Sequence, residues 1–263
     1  MRLLRSVVLK LGGSLVTDKS KPMTARLDVI ERVSKEIREA LEISRIDLVL
    51  IHGGGSFGHY YASKVLSERG SIDSEGFAQI AWSMNELSRL IVSKLIENRV
   101  SAVQISTRGV VYEEENEVHV YIDSIRRLMS RNLVPVLFGD VIVSNQGFRI
   151  ISGDELAWRI ALELGSEWVL FATNVEGVYD KPPEKGGGEV IKRLRLSEID
   201  RMSIDLENTS RGIDVTGGML QKILSGEKAL ARGVKGHVFS GLIPGNIYRA
   251  LVGDRDFGTV IEY

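Results

Sequence analysis

The sequence predicts an α/β fold with a mostly parallel central sheet covered on both faces by helices, plus β-hairpins. Three observations predict it. Short apolar runs rich in Val, Ile and Leu recur along the chain, and such runs read as strands buried on both faces. Longer stretches with apolar residues at helical spacing lie between them. Glycine-rich turns follow several of the strand-like runs directly, at the strand ends where open parallel sheets bind ligands.

Residues 7–11 are the first strand, and Leu27, Ile30, Val33, Ile37 and Leu41 then mark one face of a helix. Residues 47–51 are the second strand. The stretch 77–98 is a second long helix, with Ile80, Met84, Leu87, Ile91 and Leu95 on one face. Residues 102–105, 134–138 and 168–173 are further strands. Two stretches break the alternation. Residues 109–121 hold short β-like runs around Glu113-Glu114-Glu115-Asn116, and residues 140–151 do the same around Asn145-Gln146-Gly147; both read as hairpins. Residues 155–164 and 219–232 are two more helices. The Pro- and Gly-rich stretch 179–189 is a loop. No long linker or repeat divides the chain, so one domain over residues 1–263 with two subregions is the economical organisation.

Composition excludes several function classes. The absence of cysteine removes disulfides, zinc–thiolate sites and cysteine nucleophiles, and fits a reducing interior. A net charge of −1 without a basic block argues against nucleic acid as a partner. No apolar run approaches the ~18 residues of a membrane span, so no membrane partner is expected. The first ten residues are basic and then apolar, which reads as a strand of a cytoplasmic protein rather than a signal peptide.

The chemistry concentrates at the glycine turns. Lys10-Leu11-Gly12-Gly13-Ser14 follows the first strand. Its bare backbone suits a phosphate and Lys10 can reach the same anion, while the plainer alternative is a tight turn beside a solvated lysine. His52-Gly53-Gly54-Gly55-Ser56-Phe57-Gly58-His59 follows the second strand. Two such loops at two strand ends suggest two adjacent anion sites, one for a nucleotide and one for an acceptor. His59 is the candidate functional histidine, and His52 reads as strand-end structure. In Ser152-Gly153-Asp154-Glu155, Ser152 or Asp154 caps the following helix, or Asp154 holds lysines in place. In Thr216-Gly217-Gly218-Met219-Leu220-Gln221-Lys222, a helix N-terminus precedes a lysine, a combination that suits β/γ-phosphates and also occurs as plain solvated helix. Thr173-Asn174-Val175-Glu176-Gly177-Val178-Tyr179-Asp180-Lys181 is either a nucleoside border or an ordinary connection. Phe77, Ile80, Ala81 and Met84 share a helical face that is either core or the wall of an apolar pocket.

Taken together, these five segments resemble the amino acid kinase family in order and spacing over nearly the whole chain. Within it, the loop ending on His59, and Leu15-Val16-Thr17-Asp18-Lys19 after the first loop, resemble the isopentenyl phosphate kinases, with fosfomycin-type kinases as the runner-up. The resemblance implies a three-layer αβα sandwich and ATP-dependent phosphorylation of isopentenyl phosphate to the diphosphate, with Mg²⁺ and in a modified mevalonate route. It implies that Lys10, Gly12, Gly13, Ser14, Gly55, Gly218 and Lys222 hold ATP phosphates, with Asp180 and Lys181 near the nucleoside. It assigns Gly54, His59 and Gly153 to the acceptor phosphate, Lys19 to the transition state and Asp154 to orienting the lysines. It places acceptor binding roughly in 1–165 and nucleotide binding roughly in 166–263, and implies a homodimer without added regulatory domains. No carboxylate cluster for a protein-held metal is evident, so Mg²⁺ is expected to bridge ATP oxygens.

Overall fold

The computed structural model describes residues 5–180, 188–197 and 217–263. The first half runs β1 (Arg5–Leu11), α1 (Gly13–Val16), α2 (Leu27–Ile43), β2 (Ile46–His52), α3 (Gly55–Arg69), α4 (Ser74–Glu97) and β3 (Ala102–Gln104). There follow α5 (Thr107–Val110), β4 (Val111–Glu114), β5 (Glu117–Val120), α6 (Ile122–Met129), β6 (Val134–Phe138), β7 (Asp140–Ser144) and β8 (Gly147–Ile151). The remainder is α7 (Gly153–Leu164), β9 (Trp168–Thr173), β10 (Arg193–Arg195), α8 (Gly217–Leu224), α9 (Glu227–Leu230), β11 (Lys235–Ser240), α10 (Asn246–Val252) and β12 (Thr259–Glu262).

Eight strands form one sheet in the order β10-β12-β11-β9-β1-β2-β6-β3. All neighbours are parallel except β11 and β12. β1 lies between β2, the next strand in sequence, and β9, reached much later, so the strand order reverses beside β1. Side chains of each strand alternate between two cores. Val7, Leu9 and Leu11 join Leu48, Leu50 and Leu170 under α2, α4 and α10. Val8, Val49, Ile51, Val169 and Phe171 face Ile125, Leu156 and Ile160 of α6 and α7. This is the three-layer αβα sandwich expected.

The two hairpins form as expected, β4–β5 and β7–β8. Glu115 and Asn116 turn the first with φ of 51° and 60°, the left-handed pair that a two-residue hairpin turn requires. A third, smaller core of Ala62, Val65, Ile80, Ala81 and Val141 joins α3, α4 and β7, with Phe77 and Phe148 packed against it.

Two expectations need correction. The segment after the glycine loop is not a turn alone: α3 starts within it, so His59 lies in the helix's first turns. The glycines hide the helical period, which Phe57, Ala62 and Val65 then complete. Residues 219–232 are not one helix, because α8 and α9 are separated at Ser225 and Gly226. Gly226 lies flat on Trp158, where a Cβ would sit 2.4 Å from Cε2, and Trp158 Nε1 donates to the Lys222 carbonyl at 2.8 Å. The polar-interrupted strands β10, β11 and β12 and the short helix α10 carry too little periodicity to stand out in sequence. The loop over 179–189 has ends that pair across its neck: Tyr179 bridges Val190 and Asp180 N–H donates to the Glu189 carbonyl at 3.0 Å.

Candidate active site

The carboxyl ends of the central strands meet through glycine. Gly12 N–H donates to the Ala172 carbonyl (2.8 Å), Gly53 N–H to Leu11 (2.9 Å), Gly139 N–H to His52 (3.0 Å) and Gly241 N–H to Thr173 (2.8 Å). Each bond extends the ladder one residue beyond its strand and brings the turns into backbone contact. A Cβ on Gly13 would lie 2.5 Å from Gly55 N, and one on Gly139 would lie 2.7 Å from Gly153 N. No other residue type fits such an approach without moving backbone.

Lys10, at the end of β1, and Lys222, in α8, both place Nζ 2.7 Å from the same Asp154 oxygen, Oδ1. Asp154 is in the first turn of α7, and its neighbour Ser152 caps that helix by accepting from Glu155 N–H at 3.0 Å. Capping therefore falls to Ser152 and leaves Asp154 to the lysines. Burial works against the Asp154 charge, but the two ammonium groups outweigh it and hold the carboxyl at about 2. Burial lowers Lys222 to about 8, and repulsion from Lys10 adds to it against the pull of Asp154. Lys222 also stands 5.2 Å over the Phe171 ring.

These residues open onto a cavity of about 490 Å³. Lys10, Gly12, Gly13, Ser14, Asp154 and Lys222 form a polar part of its lining. His59 and Lys19 stand on its wall with Gly54 and Gly153. Burial lowers the His59 pKa, and the positive charges of Lys19 and Lys10 lower it further. Ala62, Ile80, Met84 and Ile150 add an apolar part to the lining. Ile80 and Met84 are thus both core and wall, while Phe77 and Ala81 serve the small core. His52 does not reach the cavity: it is fully buried, stacks on Phe138 at 5.2 Å, and burial lowers its pKa to about 4.

Two expected site residues, Gly55 and Asp180, stand apart from the lining. Gly55 adopts φ of +48° and packs against Thr17 and Gly13, so it shapes the loops. Gly218 sits at the start of α8, with Met219 and Lys222 of the same helix on the cavity. Asp180 accepts from Glu189 N–H at 2.7 Å in the loop neck. Lys181 lies outside the described residues. Sequence reasoning missed Gly139, Asp140 and Asn174, which also line the cavity. Burial pushes the Asp140 carboxyl up to about 6 despite Arg108 beside it at 3.0 Å. The signal for Gly139 and Asn174 was available: each directly follows a predicted strand, as Gly12 and Gly53 do.

Among the described residues no group of three His, Cys, Asp or Glu is placed to hold a metal ion. No helix among them is long and apolar enough to cross a membrane.

Comparison with known proteins agrees with this geometry. The amino acid kinase family matches residues 5–240. The isopentenyl phosphate kinase of Methanocaldococcus jannaschii is 37% identical, covering 97% of this chain and 98% of that protein. The isopentenyl phosphate kinase of Methanothermobacter thermautotrophicus is 33% identical, again covering 97% and 98%. An X-ray structure of isopentenyl phosphate kinase matches with a TM-score of 0.79 at 29% identity, over 97% of this chain and 99% of that one. With its sheet order, glycine loops and near-full-length relatives in agreement, the chain belongs to the amino acid kinase family.

Proposed function

We propose that the chain transfers the γ-phosphoryl group of ATP to isopentenyl phosphate, giving isopentenyl diphosphate for isoprenoid synthesis. The carrying observation is the mixed lining of the cavity. His59 and Lys19 share its wall with Lys10 and Lys222 and with the apolar Ala62, Ile80, Met84 and Ile150. A short isoprenoid tail suits the apolar side chains, and two phosphate groups suit the lysines and glycine turns. The full-length likeness to isopentenyl phosphate kinases supports the same substrate.

In this reading, Gly12, Gly13, Ser14, Lys10 and Lys222 hold the ATP phosphates. Gly54, Gly153 and the amino ends of α3 and α7 cradle the acceptor phosphate, with His59 donating a hydrogen bond to it. An acceptor oxygen attacks the γ-phosphorus, the bond to the bridging oxygen breaks, and its electron pair leaves with ADP. The acceptor is already a competent nucleophile, so the chain's task is alignment and charge. Lys19 offsets charge on the moving phosphoryl group. Asp154 keeps Lys10 and Lys222 ionised and in place. Its charge is committed to those lysines, so Mg²⁺ would enter with ATP and would supply charge neutralisation at the phosphates.

The acceptor half falls roughly within 1–165 and the nucleotide half within 166–263. A cytoplasmic homodimer is part of the same reading, and light scattering of the purified protein checks the assembly. The function itself is tested with ATP, Mg²⁺ and a panel of small phosphates and phosphonates, followed by ³¹P NMR. Isopentenyl phosphate should give the diphosphate at the highest kcat/KM. Inertness toward every isoprenoid monophosphate would overturn the reading.

A further inference from the structure

Ser56 is the second residue of α3 and is buried at 6% exposure. Its N–H, its hydroxyl and its carbonyl all reach across to the segment that carries Lys19. Ser56 N–H donates to Thr17 Oγ1 at 2.9 Å. The Ser56 hydroxyl accepts from Thr24 N–H at 3.1 Å and donates to the Thr24 carbonyl at 3.3 Å. The Ser56 carbonyl accepts from Met23 N–H at 3.1 Å. Thr17 Oγ1 in turn donates to the Gly13 carbonyl at 2.7 Å, tying the same post to the first glycine turn.

Between these anchors the chain makes a tight excursion. Asp18 N–H donates to the Thr24 carbonyl at 2.9 Å, Ser20 bonds back to Asp18, and Met23 takes a left-handed φ of 47°. Lys19 sits at the exposed edge of this excursion and makes no ion pair with a described residue. Its own contacts therefore do not place it, and the loop does. His59 follows Ser56 by three residues on the same helix.

We infer that Ser56 is a positioning residue for phosphoryl transfer: it fastens the Lys19 loop to the helix that carries His59, so that both groups meet the acceptor phosphate in one geometry. The inference rests on the proposed transfer from ATP. It is separate from the binding of either substrate, because among the described residues the Ser56 hydroxyl bonds only to Thr24.

The test is a double-mutant cycle. S56A removes the hydroxyl and leaves the backbone bonds to Thr17 and Met23. With isopentenyl phosphate, kcat should fall about tenfold or more while KM for ATP stays within about twofold. A general structural defect would cost the same factor in any background. In the K19A background S56A should therefore lower kcat by less than about twofold, and an equal loss in both backgrounds overturns the inference. T17V, which removes the acceptor for Ser56 N–H, is the second variant and should show the same dependence on Lys19. Amide hydrogen exchange needs no turnover: it should accelerate across residues 18–24 in S56A, and unchanged exchange there also overturns the inference. An inert wild type sinks the functional reading. Additive losses in an active enzyme sink this inference alone.

Discussion

Lys10 and Lys222, from the central strand and from a helix more than two hundred residues later, meet on one oxygen of Asp154 at 2.7 Å each. Two ammonium groups this close repel, and after burial that repulsion is the next cause of the lowered Lys222 pKa. A single carboxylate at the amino end of α7 makes the arrangement stable and leaves both lysines a net positive charge to offer an anion.

Removing that carboxylate should cost both activity and stability. D154N keeps the shape but leaves two ammonium groups buried without a counter-charge. We expect kcat with ATP and isopentenyl phosphate to fall about 10²–10³-fold. We expect unfolding free energy to drop by about 3–5 kcal/mol, the scale for breaking a buried pair. Steady-state kinetics and urea unfolding measure the two effects, and a variant with wild-type values in both refutes the role.

Alkaline pH should weaken nucleotide binding through Lys222. Its folded pKa, lowered to about 8, lies below the ordinary value of 10.5. Between those values the unfolded chain holds a proton the folded chain has released, so this group makes stability rise with pH across that window. Activity moves the other way, because the neutral amine no longer attracts phosphate. kcat/KM for ATP should decline above about pH 8, and K222R, which stays charged, should push the decline to higher pH. Asp154 acts at the acid end: its folded pKa of about 2 contributes stability above the unfolded value of 3.8, lost as pH falls toward 2.

His59 should be neutral before the acceptor binds. Burial, then Lys19 and Lys10, lower its pKa. NMR titration of the free protein should place it below 6.5, and isopentenyl phosphate, as an anion beside it, should raise it. H59A should lose most turnover and keep KM for ATP within about twofold. An H59A variant at the wild-type rate would remove the histidine from the mechanism.

The contact between the glycine turns should tolerate no side chain. A Cβ on Gly13 would lie 2.5 Å from Gly55 N and 2.7 Å from Gly55 Cα, both backbone atoms. G13A should cost at least about 2–3 kcal/mol in unfolding free energy. It should also weaken ATP and isopentenyl phosphate binding together, since the two loops share this contact. A fully stable G13A enzyme would show that the loops can separate freely.

Much of this site is legible without a structure. Gly12, Gly13, Gly54, His59, Gly153 and Asp154 stand where strand-like runs end, and the chemistry of bare backbone and charge marks them. Gly55 carries the same local signal as its neighbours, yet it packs against Thr17 and Gly13 rather than lining the cavity. Asp140 reads as the start of a hairpin strand, and the fold brings it to the cavity lining. Ser56 is an ordinary serine in sequence. Its task depends on Thr17, Met23 and Thr24, which local pattern does not relate to it.

By itself, the sequence determined which local structures form and which chemistry sits at their ends, because apolar period and glycine geometry act over a few residues. The tertiary structure alone decided which ends become neighbours. Placing β1 between β2 and β9 brings Lys10 to Asp154 and Lys222, and brings the first glycine turn against the second. Those distances depend on parallel pairing between strands far apart in the chain, and on two cores packing at once, which no local pattern encodes.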